Sequence, residues 1–476
     1  MSQRLIVGPF NRVEGDLEVT LDIEDGIVTA ARAGSPLYRG FEQILRGKHP
    51  MDALMFAPRV CGICSVSQSM AAARALADAM GLAAPPNGRI ACNLAHAVEN
   101  LADHFTHFHL FFMPDFARAE YAARPWHAHA AARFRALQGS ATAEVMPART
   151  AFLTMLGTLA GKWPHTLSLQ PGGSARALEA SEKIRLHALL RDFRRHVETT
   201  LFNDALESVA ALDSVAALAR WAAEKPRGDF GLFLEIADDL ALDTLGRGID
   251  RFMSYGNYPQ EHGLLLPRGV WQGGLQALDE KAIVEDLSHA WMAGETRHPA
   301  QGVTRPDDGK ADGYTWCKAP RLAGLPVETG ALARQVVAGH PLARDLIGKG
   351  GGNVKARVVA RLLEIALILP HMEQWVRQIV PGEPFCAQGE MPGEASGTGL
   401  VEAARGSLGH WLTVVDGRIA NYQIISPTTW NFSPRDSAGT PGPLEQALVG
   451  VPAGESQVAV QHVVRSFDPC MVCTVH

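Results

Sequence analysis

Near the start of the chain, Leu17, Val19, Leu21 and Ile23 alternate with Glu18, Thr20 and Asp22, the period of a strand with one buried face. Glu24-Asp25-Gly26 then supplies a turn, and Ile27-Val28-Thr29 resumes the apolar run, which predicts a β-hairpin within residues 1–35. A second hairpin is predicted near the other end, where Trp411 to Val415 and Ile419 to Ile425 flank the turn Asp416-Gly417. Between them the apolar period lengthens to that of helices. A short helix is expected around 40–46. Residues 65–80 are rich in Ala and Met without Gly or Pro, so a helix should open directly behind Cys64. Residues 88–121 and 175–220 also read as helical, and 357–379 is long enough for a central core helix that Pro370 should kink or split. The Pro- and Gly-rich stretch 255–330 reads as irregular. The pattern predicts an α+β fold, predominantly α-helical, with a central helix bundle and β-hairpins at both ends. We read 1–476 as one domain: hairpin 1–35, helical core 36–380, and a β-rich segment 381–476.

Composition narrows the function classes. Hydrophobic residues make up 47% of the 476, enough for a large core, and charged residues 20%, below the usual quarter. Such a shortage of charge suits a surface partly covered by a partner. The net charge of −6 argues against a nucleic-acid binder. No apolar run reaches the ~18–20 residues of a membrane span. The stretch 362–369 contains Glu364 and stops at Pro370, and Pro9 and Arg12 interrupt any signal-like segment at the start. The expectation is a cytoplasmic protein without direct membrane insertion.

The chain has 7 cysteines, an odd number, and Cys61/Cys64 and Cys470/Cys473 form two CxxC pairs. In a reducing compartment such pairs mean metal or redox chemistry. A CxxC turn lets two thiolates converge on one ion, and thiolates select nickel, iron, zinc or copper. Gly62 is expected to supply unusual backbone angles, Arg59 positive charge, and the following helix its N-terminal dipole. A structural four-cysteine zinc site is the ordinary alternative. Against it, the pairs lie at opposite ends of the chain, so the C-terminus must be buried at the metal, with His476 as a possible tie.

Arg59-Val60-Cys61-Gly62-Ile63-Cys64 and Asp468-Pro469-Cys470-Met471-Val472-Cys473-Thr474-Val475-His476 resemble the signatures RxCGxC and DPCxxCxxH of the nickel–iron hydrogenase large subunit. Further strings in the same order extend the likeness over nearly the whole chain: Arg12-Val13-Glu14-Gly15, Tyr38-Arg39-Gly40-Phe41-Glu42, Gly161-Lys162-Trp163-Pro164-His165, Lys318-Ala319-Pro320-Arg321, Asn421-Tyr422-Gln423 and Pro427-Thr428-Thr429-Trp430-Asn431. The resemblance implies that family's fold, with the C-terminal segment returning to the metals. It implies nickel on all four thiolates, with Cys61 and Cys470 terminal, and iron carrying carbonyl and cyanide on Cys64 and Cys473. It makes Glu14 the proton carrier and Arg405 the cation overhanging the metals, held by Asp103 and Asp468. Glu42, the carbonyl of Ile424 and His476 would bind a magnesium ion. Ala404 replaces a proline usual in the family and should alter packing around Arg405. His104, His107 and His109 read as core or partner-facing histidines, and Cys92, Cys317 and Cys386 as isolated thiols. With only these three scattered thiols left, too few and too far apart for a relay, iron–sulfur clusters are expected only in a small partner subunit.

The implied activity is heterolytic cleavage of H2. Three features point to a hydrogen sensor that signals to a histidine kinase with low turnover. Gln68 stands where energy-converting members have histidine, which removes a titrating group. The sequence stops at His476, where sensors end. Ile63 and Phe111 fall where the family's gas channel narrows, and their bulk would restrict oxygen more than H2. An energy-conserving uptake hydrogenase is the alternative reading.

Overall fold

The two ends of the chain form separate sheets that flank a helical body. The structure is a computed structural model, described for residues 2–224, 228–348 and 350–474. The predicted first hairpin is present as β2 (Glu18–Glu24) and β3 (Ile27–Gly34), and β1 (Ser2–Val7) adds a third antiparallel strand. The alternation works as read: Leu17, Val19, Leu21 and Ile23 are buried. A short helix α1 (Phe41–Leu45) follows, then α2 (Ser65–Met80) directly behind Cys64.

The bundle is built from α3 (Pro86–Thr106), α4 (Ser140–Ala160), α5 (Ala180–His196) and α6 (Val354–Gln378), which pack on one another around Phe105, Phe152 and Phe193. Two expected helices are shorter than their apolar period. The first leaves α-geometry at Thr106 for a wider π turn (His107–Phe112) and 3-10 turns. The second does so at His196, with a π turn (Val197–Phe202) and two short helices behind it. Neither π turn contains Gly or Pro, so no helix breaker within it marks the change in the sequence. Pro370 does not split α6, which runs unbroken through it. Leu369 and Met372 are buried on either side of the proline, and their packing outweighs the lost hydrogen bond. Within 255–330 the chain forms strand fragments of two to four residues.

The second hairpin appears as β5 (Gly406–Val415) and β6 (Arg418–Ile425), with β4 (Ala395–Ala403) paired on the outer side. β4 lies against α2 at two glycines. A Cβ on Gly397 would sit 2.0 Å from the Ala75 carbonyl oxygen, and one on Gly399 1.9 Å from that of Ala71. This approach of strand to helix fixes α2, and with it Cys64, against the C-terminal sheet. Gly399→Ala should therefore lower unfolding stability by ~2–3 kcal/mol, since the obstruction is backbone and cannot rotate away. Thermal unfolding matching the parent would show that the approach does not matter.

Candidate metal centre

The second CxxC pair reaches the first because the chain ends pair with each other. Glu14 and Cys470 form a parallel bridge: the Glu14 N–H donates to the Pro469 carbonyl at 3.3 Å, and the Met471 N–H to the Glu14 carbonyl at 2.7 Å. Gly15 makes room for this contact. It has φ +81°, and a Cβ there would lie 2.9 Å from the Val472 backbone nitrogen. Arg39 donates to the carbonyls of Val60 and Val472, one in each cysteine loop. The Cys470 N–H donates to Thr428 Oγ1 at 3.0 Å.

The four sulfurs then converge. Cys61 Sγ lies 3.4 Å from Cys470 Sγ, Cys64 Sγ 3.3 Å from Cys473 Sγ, and Cys470 Sγ 3.0 Å from Cys473 Sγ. All four are buried, unoxidised and within 4.8 Å of one another. Among the described residues they are the one group of three or more His, Cys, Asp or Glu side chains arranged to hold a metal. Hydrogen bonds from its three neighbours push the Cys61 thiol well below its ordinary value. Neighbouring thiols and burial push Cys64 well up, and burial first, then the neighbours, raises Cys470; burial also raises Cys473. The cluster thus accommodates one negative charge readily and resists more. Full deprotonation needs a cation among the sulfurs, which is what a thiophilic metal supplies.

Two expectations about the first loop need correction. Gly62 is not left-handed; the positive φ adjoining a cysteine pair falls at Asp468, +58°, ahead of Pro469. Arg59 is exposed and donates to the Met55 carbonyl, so the cation at the loops is Arg39 instead.

Arg405 is buried beside the sulfurs. Its Nε donates to the Asp468 carbonyl at 2.9 Å, its Nη2 to Asp468 Oδ1 at 3.1 Å and to Asp103 Oδ1 at 3.2 Å, and its Nη1 lies 2.8 Å from Asp103 Oδ2. Burial pushes the Asp103 carboxyl up to about 7, although Arg405 opposes it. Burial acts the same way on Asp468, but there Arg405, His107 and Arg361 prevail and hold it below its usual range. Buried Ala404 presents its carbonyl to Arg334, at 3.1 Å from Nη2. Arg334 is itself held by Glu364 and Glu402, so the strand end carrying Arg405 rests on a buried ionic network. Glu14 is half-buried, and burial followed by the charge at Cys61 raises its carboxyl.

Gln68 is buried on α2, with Oε1 2.9 Å from His410 Nε2, and His410 Nδ1 is 2.7 Å from the Tyr422 hydroxyl. Ile63 is half-buried in the first cysteine loop and Phe111 half-buried in the π turn. His104 contacts Glu364, His107 the Arg465 carbonyl, and His109 both Asp229 and the Phe105 carbonyl, so the three do not share a ligand site. Cys92 and Cys317 are buried and Cys386 half-buried, all apart from the cluster.

Glu42 is buried and takes the Ile424 N–H at 2.8 Å on Oε1, the Lys318 ammonium at 3.2 Å on Oε2, and the Thr304 hydroxyl. Lys318 also contacts Glu285 at 3.2 Å and Gln423 at 2.9 Å. Two carboxylates thus face one ammonium, and Glu285 Oε1 is buried without a hydrogen-bond partner, so this oxygen-rich set fits a hard ion. His476 lies outside the described residues.

A buried four-thiolate site, closed by both chain ends and covered by a paired arginine, defines a thiolate-bound metalloprotein. The family profile described as Nickel-dependent hydrogenase matches residues 39–142 and 140–476. The chain belongs to that family and is the subunit that carries the nickel–iron active site. It is 29% identical to the periplasmic [NiFeSe] hydrogenase large subunit of Desulfomicrobium baculatum, covering 99% of this chain and 95% of that protein. It is 27% identical to the uptake hydrogenase large subunit of Rhodobacter capsulatus, covering 100% and 95%. The Ni-Fe-Se hydrogenase of D. vulgaris Hildenborough in the reduced state superposes with TM-score 0.85 at 29% identity, covering all of both chains.

Arg39 and Thr428 were not singled out from the sequence, although both lie inside strings that carried the family likeness. Glu14→Gln should leave bound nickel and iron unchanged and suppress H2/D+ exchange by roughly 10²–10⁴-fold, the scale of a lost proton-transfer group. Exchange at the parent rate would remove Glu14 from that role.

Proposed function

We propose that this chain splits H2 unevenly at the four-thiolate site and that its main output is detection of H2 rather than energy capture. The arrangement that carries the chemistry is a base and a fixed cation on one buried sulfur cluster. A nickel–iron centre with carbonyl and cyanide on iron, held by Cys61, Cys64, Cys470 and Cys473, would supply the polarisation of H2. Glu14 takes the proton: it is half-buried on the segment that pairs with Cys470, and burial raises its carboxyl above the ordinary value. Arg405 holds positive charge over the site, and Asp103 and Asp468 fix its plane. Glu42 and the Ile424 carbonyl, with His476, would hold a magnesium ion, which would supply an anchor for the C-terminal segment.

Gln68 supports the sensing reading. One turn behind Cys64 it places an amide, which cannot carry a proton, in contact with His410. Ile63 and Phe111 narrow the route for gas so that H2 passes more readily than oxygen. Electrons leave through an iron–sulfur small subunit, since Cys92, Cys317 and Cys386 stand apart. The signal passes to a sensor histidine kinase. The complex works in the cytoplasm, and among the described residues no helix is long and apolar enough to cross a membrane. An uptake role is the second reading, favoured by the name of the Rhodobacter capsulatus relative.

The two readings differ in one ratio. In the purified complex, H2/D+ exchange should be readily measured while H2-driven dye reduction runs far more slowly. Gln68→His should raise dye reduction several-fold. Fast dye reduction by the parent, coupled to a respiratory acceptor, would establish the uptake role instead.

A further inference from the structure

The helix behind Cys64 lacks a cap of its own. Cys64 occupies the N-cap position of α2 and makes no side-chain capping bond, its sulfur lying 3.3 Å from Cys473 Sγ. An N-cap side chain ordinarily satisfies the free N–H groups two and three residues into the helix. Here those are Val66 and Ser67, and both donate to the carboxylate of Glu99, on the neighbouring helix α3, at 2.7 and 2.8 Å. The Ser67 hydroxyl donates to Oε1 at 3.0 Å, and the Trp163 indole to Oε2 at 3.0 Å. Glu99 is 3% exposed, and these donors engage both oxygens.

Trp163 extends the connection to the far side of the cysteine turn. Two residues on, the His165 N–H donates to Ser65 Oγ at 3.2 Å, and His165 Nδ1 lies 3.0 Å from the Pro58 carbonyl. The His165 ring and Pro164 also lie over Gly62, 4.0 Å from where its Cβ would stand. One carboxylate therefore joins three segments: α3, the first turn of α2, and the 163–165 loop packed on Cys61–Cys64.

We propose that Glu99 is a positioning residue for the hydrogenase reaction, replacing the cap that Cys64 cannot provide and so fixing the Cys61–Cys64 turn against the 163–165 loop. A ligand cysteine at an N-cap has its side chain committed to the metal cluster. The first turn then has to be satisfied from outside, and an acid reaching across from another helix does so. A glutamine at this position would bring an –NH2 group against N–H donors on one side.

The inference rests on the hydrogenase reading but not on the sensing role. It is tested in the purified complex with its small subunit, on Glu99→Gln and Trp163→Phe. Amide hydrogen exchange is followed in peptides covering 62–70, 161–168 and 354–378, alongside metal content and H2/D+ exchange. Glu99→Gln should speed amide exchange in 62–70 and 161–168 roughly tenfold, the effect of losing a buried hydrogen-bond acceptor, and leave 354–378 unchanged. Its H2/D+ rate should fall roughly tenfold at unchanged nickel and iron content. Trp163→Phe removes one donor, keeps the helix cap, and should loosen 161–168 alone. It keeps the test open if Glu99→Gln fails to fold. Parent-like protection and rate in the variants, or protection lost equally in all three peptides, would overturn the proposal. A parent complex without H2/D+ exchange would instead reject the hydrogenase reading.

Discussion

The short parallel pairing of Glu14 with Cys470 is the contact on which the site depends. It brings residues from opposite ends of the sequence within reach of one metal. Such an end-to-end contact closes a very long loop, and loop-closure entropy opposes it. Both arms are therefore anchored nearby. Asp115, fully buried, takes Arg12 from the N-terminal arm, and Arg465 at 2.6 Å, His462 at 3.4 Å and Arg118 at 3.0 Å. Arg465 also donates to Asn11 Oδ1 at 2.7 Å. Burial works against the Asp115 charge, yet its cationic neighbours keep it ionised far below the ordinary carboxylate range. A lone buried carboxylate would be costly; one shared among cations from both arms ties them together.

The same logic explains the polar core under the site. Arg405, Arg334, Arg357 and Arg321 are all buried, and each has a carboxylate partner within about 3 Å. An apolar core of equal volume would hold the fold as well or better, since buried ion pairs seldom add net stability. What these pairs supply is fixed direction. Arg334 holds the carbonyls of Ala403 and Ala404, and so sets where the next residue, Arg405, can reach.

Much of this was legible in the sequence wherever a periodicity or a spacing encoded it. Alternation gave the first hairpin, the Asp416-Gly417 turn between two apolar runs gave the second, and an Ala-rich run without breakers gave α2. The CxxC pairs and their flanking strings gave the sulfur cluster, and the likeness they carried gave Arg405 with its two aspartates. Other features left no local trace. The π turns after Thr106 and His196 contain neither Gly nor Pro, so the helices read longer than they are. Pro370 carries a strong local preference against helix interiors that its packed neighbours override. Gly62 suggested unusual backbone angles in the first loop, but the positive φ beside a cysteine pair falls at Asp468 instead. Arg59 adjoins a cysteine in sequence and points away in space, while Arg39 does the reverse. Glu99 reads as an ordinary helix residue, because its partners lie on another helix and on a loop distant in sequence.

The central claim is that four thiolates from both chain ends hold nickel and iron together. Elemental analysis and nickel X-ray absorption on the complex purified with its small subunit test it most directly. The account predicts nickel bound with the subunit and a nickel shell dominated by sulfur. Loss of both metals is expected when the pairing of the ends is broken by Gly15→Val, which would drive a side chain into Val472. Zinc in place of nickel and iron, or a nickel shell made of nitrogen and oxygen, would contradict it.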